Sequence, residues 1–274
     1  LEFRRVLFRS GSLALLADAG HMAIDSAAIA LSLFALWIAQ KPATPEKTYG
    51  YYRAEILAAL VNGATLIAIS LWICYEAWER FHSSQPIKGK VMTGIAVGGL
   101  LVNLLSLLVV HRHGNHSLNT RGVWLHLLTD TLGSISAIGA GFLVWKFGWT
   151  LADPIISVVI SIFILVGAWK LLKECVDVLL EAVPKGIDIH EIKSAIESVS
   201  GVGEAHDLHV WTVTSGVPVL SVHVTLAEPI EPSFILKGIN KILAERFHID
   251  HVTVQIEPKD FMAPGQCCKL PLVR

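Results

Sequence analysis

The sequence predicts two parts: a polytopic α-helical membrane domain and, after it, a small α+β sandwich domain. Three observations predict this. Only 16% of the 274 residues are charged, against 53% hydrophobic, where an ordinary soluble domain carries roughly 25% charge. Long apolar stretches fill the first part of the chain, and Val91 to Val110 and Ile155 to Trp169 contain no charge at all. Past Pro184 the composition changes to mixed charged and apolar segments.

A helix needs about 20 apolar residues to span a bilayer. Five stretches qualify, at roughly 13–39, 54–75, 91–110, 122–145 and 153–172. Basic residues in short loops set orientation. With the 40–53 loop, the 111–121 loop and the segment after 170 in the cytoplasm, that side holds Lys41, Lys47, Arg53, Arg112, Arg121, Lys170, Lys173 and Lys185. The other side holds Arg80, Lys88, Lys90 and Lys146, so the count is eight against four with the first ten residues set aside. Those ten, LEFRRVLFRS, lack the long apolar core of a signal peptide and are expected to be a non-native or truncated segment. The expected organisation is a transmembrane domain over 11–173, a linker over 174–186, a water-exposed domain over 187–260 and a tail over 261–274.

The net charge of −1 offers no basic excess to neutralise phosphates, which excludes nucleic acid as the expected partner. Four cysteines, Cys74, Cys175, Cys267 and Cys268, are too few and too unevenly spaced for a disulfide framework. In the C-terminal part, Ile189, Ile192, Ala195, Ile196 and Val199 recur at helical spacing behind Asp188. Segments 204–214 and 217–226 alternate as strands around a Ser-Gly turn, followed by a helix over 232–247 and a strand over 251–257. The order α-β-β-α-β predicts an open sandwich with both helices on one side of a sheet.

The chemistry lies in the apolar part. HMAID in the first span places His21 and Asp25 four apart, and HLLTD in the fourth does the same for His126 and Asp130. Residues four apart share a helix face. Two such helices can offer a four-coordinate set of two nitrogens and two oxygens, which zinc accepts. An ionised Asp at the bilayer centre costs at least about 2.5–3.5 kcal/mol, so such residues usually mark ion paths. Around a divalent ion, two carboxylates and two neutral imidazoles sum to zero charge. Without the ion, burial and like charge favour proton uptake, so metal and protons compete for one site.

LLADAGHMAIDSAAIALSLFA, YGYYRAEILAALVN, HLLTDTLGS, DPIISVVIS and HDLHVWTVTSG together resemble the cation diffusion facilitator family of zinc transporters, over about residues 11–260. The resemblance implies a six-helix membrane fold of which five helices are visible here, and a ferredoxin-like, metallochaperone-like fold for 187–260 as a cytosolic metal-binding domain. The first span then matches the family's second helix, and the chain is expected to lack the first one. It further implies a homodimer in the bilayer of the bacterial cytoplasmic membrane, with its C-terminal domain in the cytoplasm. The implied activity is export of divalent metal ions against protons by alternating access, with zinc as substrate and as regulatory ligand. The transport site maps onto His21, Asp25, His126 and Asp130. In the C-terminal domain, His206, His223 and Glu257 match positions that bind metal in relatives, while Gln255 stands where some relatives have a further ligand.

Several residues have two readings. Asp18 either guides ions to the site or caps an interhelical contact. Asn62 and Asn103 more often bond between helices than bind metal. The resemblance suggests a charge interlock at the end of the membrane domain, formed by Arg53 with Asp177 or Glu181. His111, His113 and His116 in the HRHGNH loop, and the adjacent Cys267 and Cys268, are weak metal candidates. The competing functions are an intramembrane zinc metalloenzyme, which would need an open metal position and a separate base, and a membrane-anchored metal sensor, which gains nothing from two intramembrane ligand pairs.

Overall fold

The computed structural model describes residues 27–82, 89–113, 117–149, 151–228 and 230–258. Asp18, His21, Asp25, His116, Cys267 and Cys268 lie outside these residues, as do the side chains of His111 and His113. The chain forms two compact units, Leu1–Cys175 and Val176–Arg274.

The first unit is helical. Its described elements are α1 (Ala27–Ala39), α2 (Arg53–His82), α3 (Gly89–His113), α4 (Leu118–Phe147) and α5 (Ala152–Leu179). The stretches Arg53–Glu79, Leu118–Phe147 and Pro154–Leu179 are each long and apolar enough to cross a membrane, and Ala27–Ala39 and Val97–Leu108 are shorter apolar stretches. Large apolar side chains face outward: Phe163 is 71% exposed, Trp72 68% and Leu105 65%. Such a surface suits hydrocarbon and would be unfavourable in water. Residues 174–179, read from the sequence as the start of a linker, are the last turns of α5. The helix continues there because Cys175 is fully buried and Glu174 is held by an ion pair with Arg121 of α4.

Small residues let these helices approach. Ala59 and Ala168 are fully buried with Leu171, and a Cβ on Gly122 of α4 would already touch Leu171 of α5 at 3.5 Å and Asn62 of α2 at 3.6 Å. Buried polar groups also tie the bundle together. Asn62 Nδ2 donates to Ser32 Oγ at 2.8 Å, and Asn119 Nδ2 donates to the Ser32 carbonyl at 3.0 Å. Ser32, Asn62 and Asn119 are all buried, so α1, α2 and α4 meet at one hydrogen-bonded node. Interhelical bonding is therefore the role of Asn62.

The second unit contains α6 (Ile189–Glu197), β1 (Val202–Thr214), β2 (Val217–Leu226), α7 (Pro232–Phe247) and β3 (His251–Glu257). Asp188 caps α6 by accepting from the His190 amide at 2.8 Å, as its place before the apolar pattern predicts. Pro232 opens α7, and His248 closes it in the left-handed conformation, with Ile249 N–H returning to the Leu243 carbonyl at 3.1 Å. Ser215-Gly216 turns the β1–β2 hairpin, Gly216 taking φ of 78°. The sheet order is β1-β2-β3, with β1 and β2 antiparallel and β2 and β3 parallel. A parallel pair needs a crossover, and α7 provides it. Ile192, Ile196, Ile235, Ile239 and Leu243 pack from the helices onto Ala205, Val210, Leu220, Val222 and Val224, so one sheet face is core and the other is free to carry polar chemistry.

The segment after α6 packs tightly on α7 at Gly238, where an added Cβ would sit 2.7 Å from Val199 Cγ1. Gly238→Ala is expected to destabilise this unit by about 1–3 kcal/mol through overpacking. The penalty should shrink in a Val199→Ala background. Hydrogen exchange of the β1–β3 amides in the full chain measures both.

Candidate metal centre

The free face of the sheet gathers the candidate ligands of the second unit. His206 on β1 lies opposite His223 on β2, and β3 runs parallel beside β2 with Thr225 opposite Glu257. The pairing brings residues far apart in sequence onto three adjacent strands. Ligand atoms of His206, His223 and Glu257 all lie within 4.8 Å of one another. Glu257 Oε2 is 3.2 Å from His206 Nε2 and Glu257 Oε1 is 3.0 Å from His223 Nδ1. The two rings stand edge to face with centroids 5.5 Å apart.

Glu257 is only 2% exposed. A buried carboxylate is strongly disfavoured unless compensated, yet its Oε2, His206 Nε2 and His223 Nδ1 make no hydrogen bond. These atoms approach closely without pointing N–H at oxygen, as ligand atoms do when they converge on a common point. Two imidazole nitrogens and a carboxylate oxygen are a donor set that zinc accepts, with room for a fourth ligand. The residues present therefore fit a divalent metal ion. Gln255 lies on the strand beside His223. Its Nε2 donates to Glu257 Oε1 at 2.8 Å and braces the carboxylate. His209 is exposed and contacts Asp207 at 3.0 Å.

In the first unit, His126 and Asp130 occupy one face of α4, His126 Nε2 and Asp130 Oδ2 being 3.8 Å apart with side chains 4% and 10% exposed. Arg53 begins α2, Asp177 lies near the end of α5, and Glu181 follows α5 with φ of 58°. An ion pair that the sequence reading missed joins Arg121 to Glu174. The signal for it in the sequence is the recurrence of Glu174, Asp177 and Glu181 at helical spacing.

Residues 5–180 match the cation efflux transmembrane domain, and residues 184–259 match the cytoplasmic domain of the cation efflux protein. The chain belongs to the cation efflux family. Among cation efflux relatives, it is 42% identical over 254 residues to a cadmium, cobalt and zinc/H(+)-K(+) antiporter of Bacillus subtilis, covering 91% of this chain and 82% of that protein. It is 43% identical over 253 residues to the zinc transporter ZitB of Escherichia coli, covering 91% and 80%. A solved structure of the metal-bound C-terminal domain of the CzcD transporter from Cupriavidus metallidurans covers 26% of this chain and 99% of that one, at 39% identity and a TM-score of 0.25. As a cation efflux protein the chain is an integral membrane secondary transporter with a cytoplasmic C-terminal domain, and the metalloenzyme alternative falls away.

If the triad holds zinc, the ion stabilises the strands that supply its ligands. Zinc at a hundred times its Kd should stabilise the second unit by about 2.7 kcal/mol. His206→Ala, His223→Ala or Glu257→Gln should each remove that shift, read as slowed hydrogen exchange of β1–β3 on adding zinc.

Proposed function

We propose that this protein exports zinc from the cytosol in exchange for protons, through an intramembrane site of His21, Asp25, His126 and Asp130. Family membership supports transport, and the likeness to a zinc transporter and to a cadmium, cobalt and zinc/H(+)-K(+) antiporter supports the metal and the proton. The observation that carries the site is the buried His126–Asp130 face on a membrane-crossing helix, matched by a second His-x-x-x-Asp in another span.

The bond from Asn119 to Ser32 adds a register argument. Asp25 and His21 precede Ser32 by seven and eleven residues, and His126 and Asp130 follow Asn119 by the same seven and eleven. The first and fourth spans run in opposite directions in the five-span reading, so both pairs are counted from one contact toward the same side of the membrane. In this reading the first apolar span takes the place of the family's second helix.

Transport then proceeds by competition. With the site open to the cytosol, zinc displaces protons from the carboxylates and imidazoles. Rocking of the helices exposes the site to the other side, where protons displace zinc. The neutral sum of the loaded site is what lets a divalent ion rest in low dielectric. Zinc on His206, His223 and Glu257 is a regulatory ligand that shifts a homodimer toward the transport-competent arrangement through differential affinity. Arg53 with Asp177 or Glu181 forms a charge interlock in this scheme, and Asp18 serves the entry path.

The test is zinc flux into proteoliposomes under an imposed pH gradient. Asp130→Ala should reduce gradient-driven flux to the level of protein-free vesicles while zinc binding by the C-terminal unit persists. Undiminished flux in that variant would remove the intramembrane site from the proposal.

A further inference from the structure

Asp207 has a left-handed backbone, φ 47°, in the middle of strand β1. Among residues with side chains, Asn, Asp and His adopt that conformation most readily. The irregularity is a bulge: register shifts between His206/His209. Its effect is visible in burial. Ala205 and Val210 are in the core and Leu208 packs against it, so the inward positions are 205, 208 and 210, and two consecutive residues, His206 and Asp207, lie outside that inward set. In a regular strand Asp207 would point into the core.

The re-aimed carboxylate reaches the triad from behind. Asp207 Oδ2 lies 3.7 Å from His223 Nε2, while the other ring nitrogen, Nδ1, faces Glu257 at 3.0 Å. Asp207 Oδ1 is at the same time 3.0 Å from His209 Nε2. At 3.7 Å the contact to His223 is electrostatic rather than a hydrogen bond. It still favours the ring form with its proton on Nε2, which leaves the Nδ1 lone pair directed at the triad. A carboxylate on the far nitrogen of a ligating histidine fixes its tautomer and raises its basicity. Charge points the same way: two imidazoles and Glu257 leave a divalent ion with one positive charge, and Asp207 cancels it.

We infer that Asp207 is a positioning residue of the cytoplasmic metal site, placed by the bulge to orient His223 and balance the charge of the ion. The inference rests on the metal reading of His206, His223 and Glu257. A purely conformational role for Asp207 predicts something different, because Asn and Gly both accept a left-handed backbone.

The experiment uses the full chain in lipid nanodiscs in an Asp130→Ala background, which disables the other proposed site. Zinc affinity is measured against a chromophoric chelator, and the absorption bands of bound Co2+ are recorded at saturation. Asp207→Asn and Asp207→Gly are each expected to weaken zinc binding 10- to 100-fold and to shift the saturated Co2+ bands, with β2 amide protection equal to that of the parent. Parental affinity and an unchanged Co2+ spectrum in either variant would reduce Asp207 to a backbone device and overturn the inference. His223→Ala separates the two levels: parental zinc affinity there would remove the metal site itself, and the inference with it.

Discussion

A carboxylate withdrawn from water must find compensation, and both units of this protein are arranged around that constraint. Asp130 inside a membrane-crossing helix and Glu257 on the last strand of a soluble sheet are 10% and 2% exposed. Each stands beside imidazole nitrogens. An imidazole is an adaptable partner, because it is neutral or charged near physiological pH and offers a lone pair to a metal. The same pairing therefore serves in hydrocarbon and at a sheet surface, with different backbone geometry holding it.

That difference decides what is legible in sequence. A helix presents residues four apart in one direction, so His126 and Asp130 declare themselves as a pair inside HLLTD. The helices over 232–247 and from Asp188, the Ser-Gly hairpin and the strand over 251–257 were readable for the same reason: each is specified by a local period or cap. The sheet site is assembled from His206, His223 and Glu257 on three strands, and no local rule spans such separations. Resemblance, not spacing, pointed to it. Only the register of β1 on β2 and of β2 on β3 shows why these positions converge.

Other features were written in the chain but masked by simpler patterns. Strict alternation through AHDLHV would place Asp207 in the core and Leu208 outside, and a slip of one residue reverses every side chain. The three-residue step between Ala205 and Leu208 is the trace of the bulge. Asn119 sits in a polar SLNTR run that reads as a loop end, yet it is fully buried and bonded to Ser32 of another helix, a tertiary pairing that local polarity conceals. Gln255 looked like a lost ligand and is instead the brace of Glu257.

The two proposed sites also differ in the charge they leave on an ion, and this separates their tasks. A set of two carboxylates and two imidazoles neutralises a divalent cation completely, which is what a cargo carried through low dielectric requires. One carboxylate and two imidazoles leave a residual positive charge at the surface of a sheet, where water and a neighbouring Asp207 can answer it. A site of that kind holds one carboxylate fewer than the intramembrane set. It suits a ligand that is held to report its concentration, and the strained residue in β1 is where the sheet departs from regular pairing to supply the missing charge.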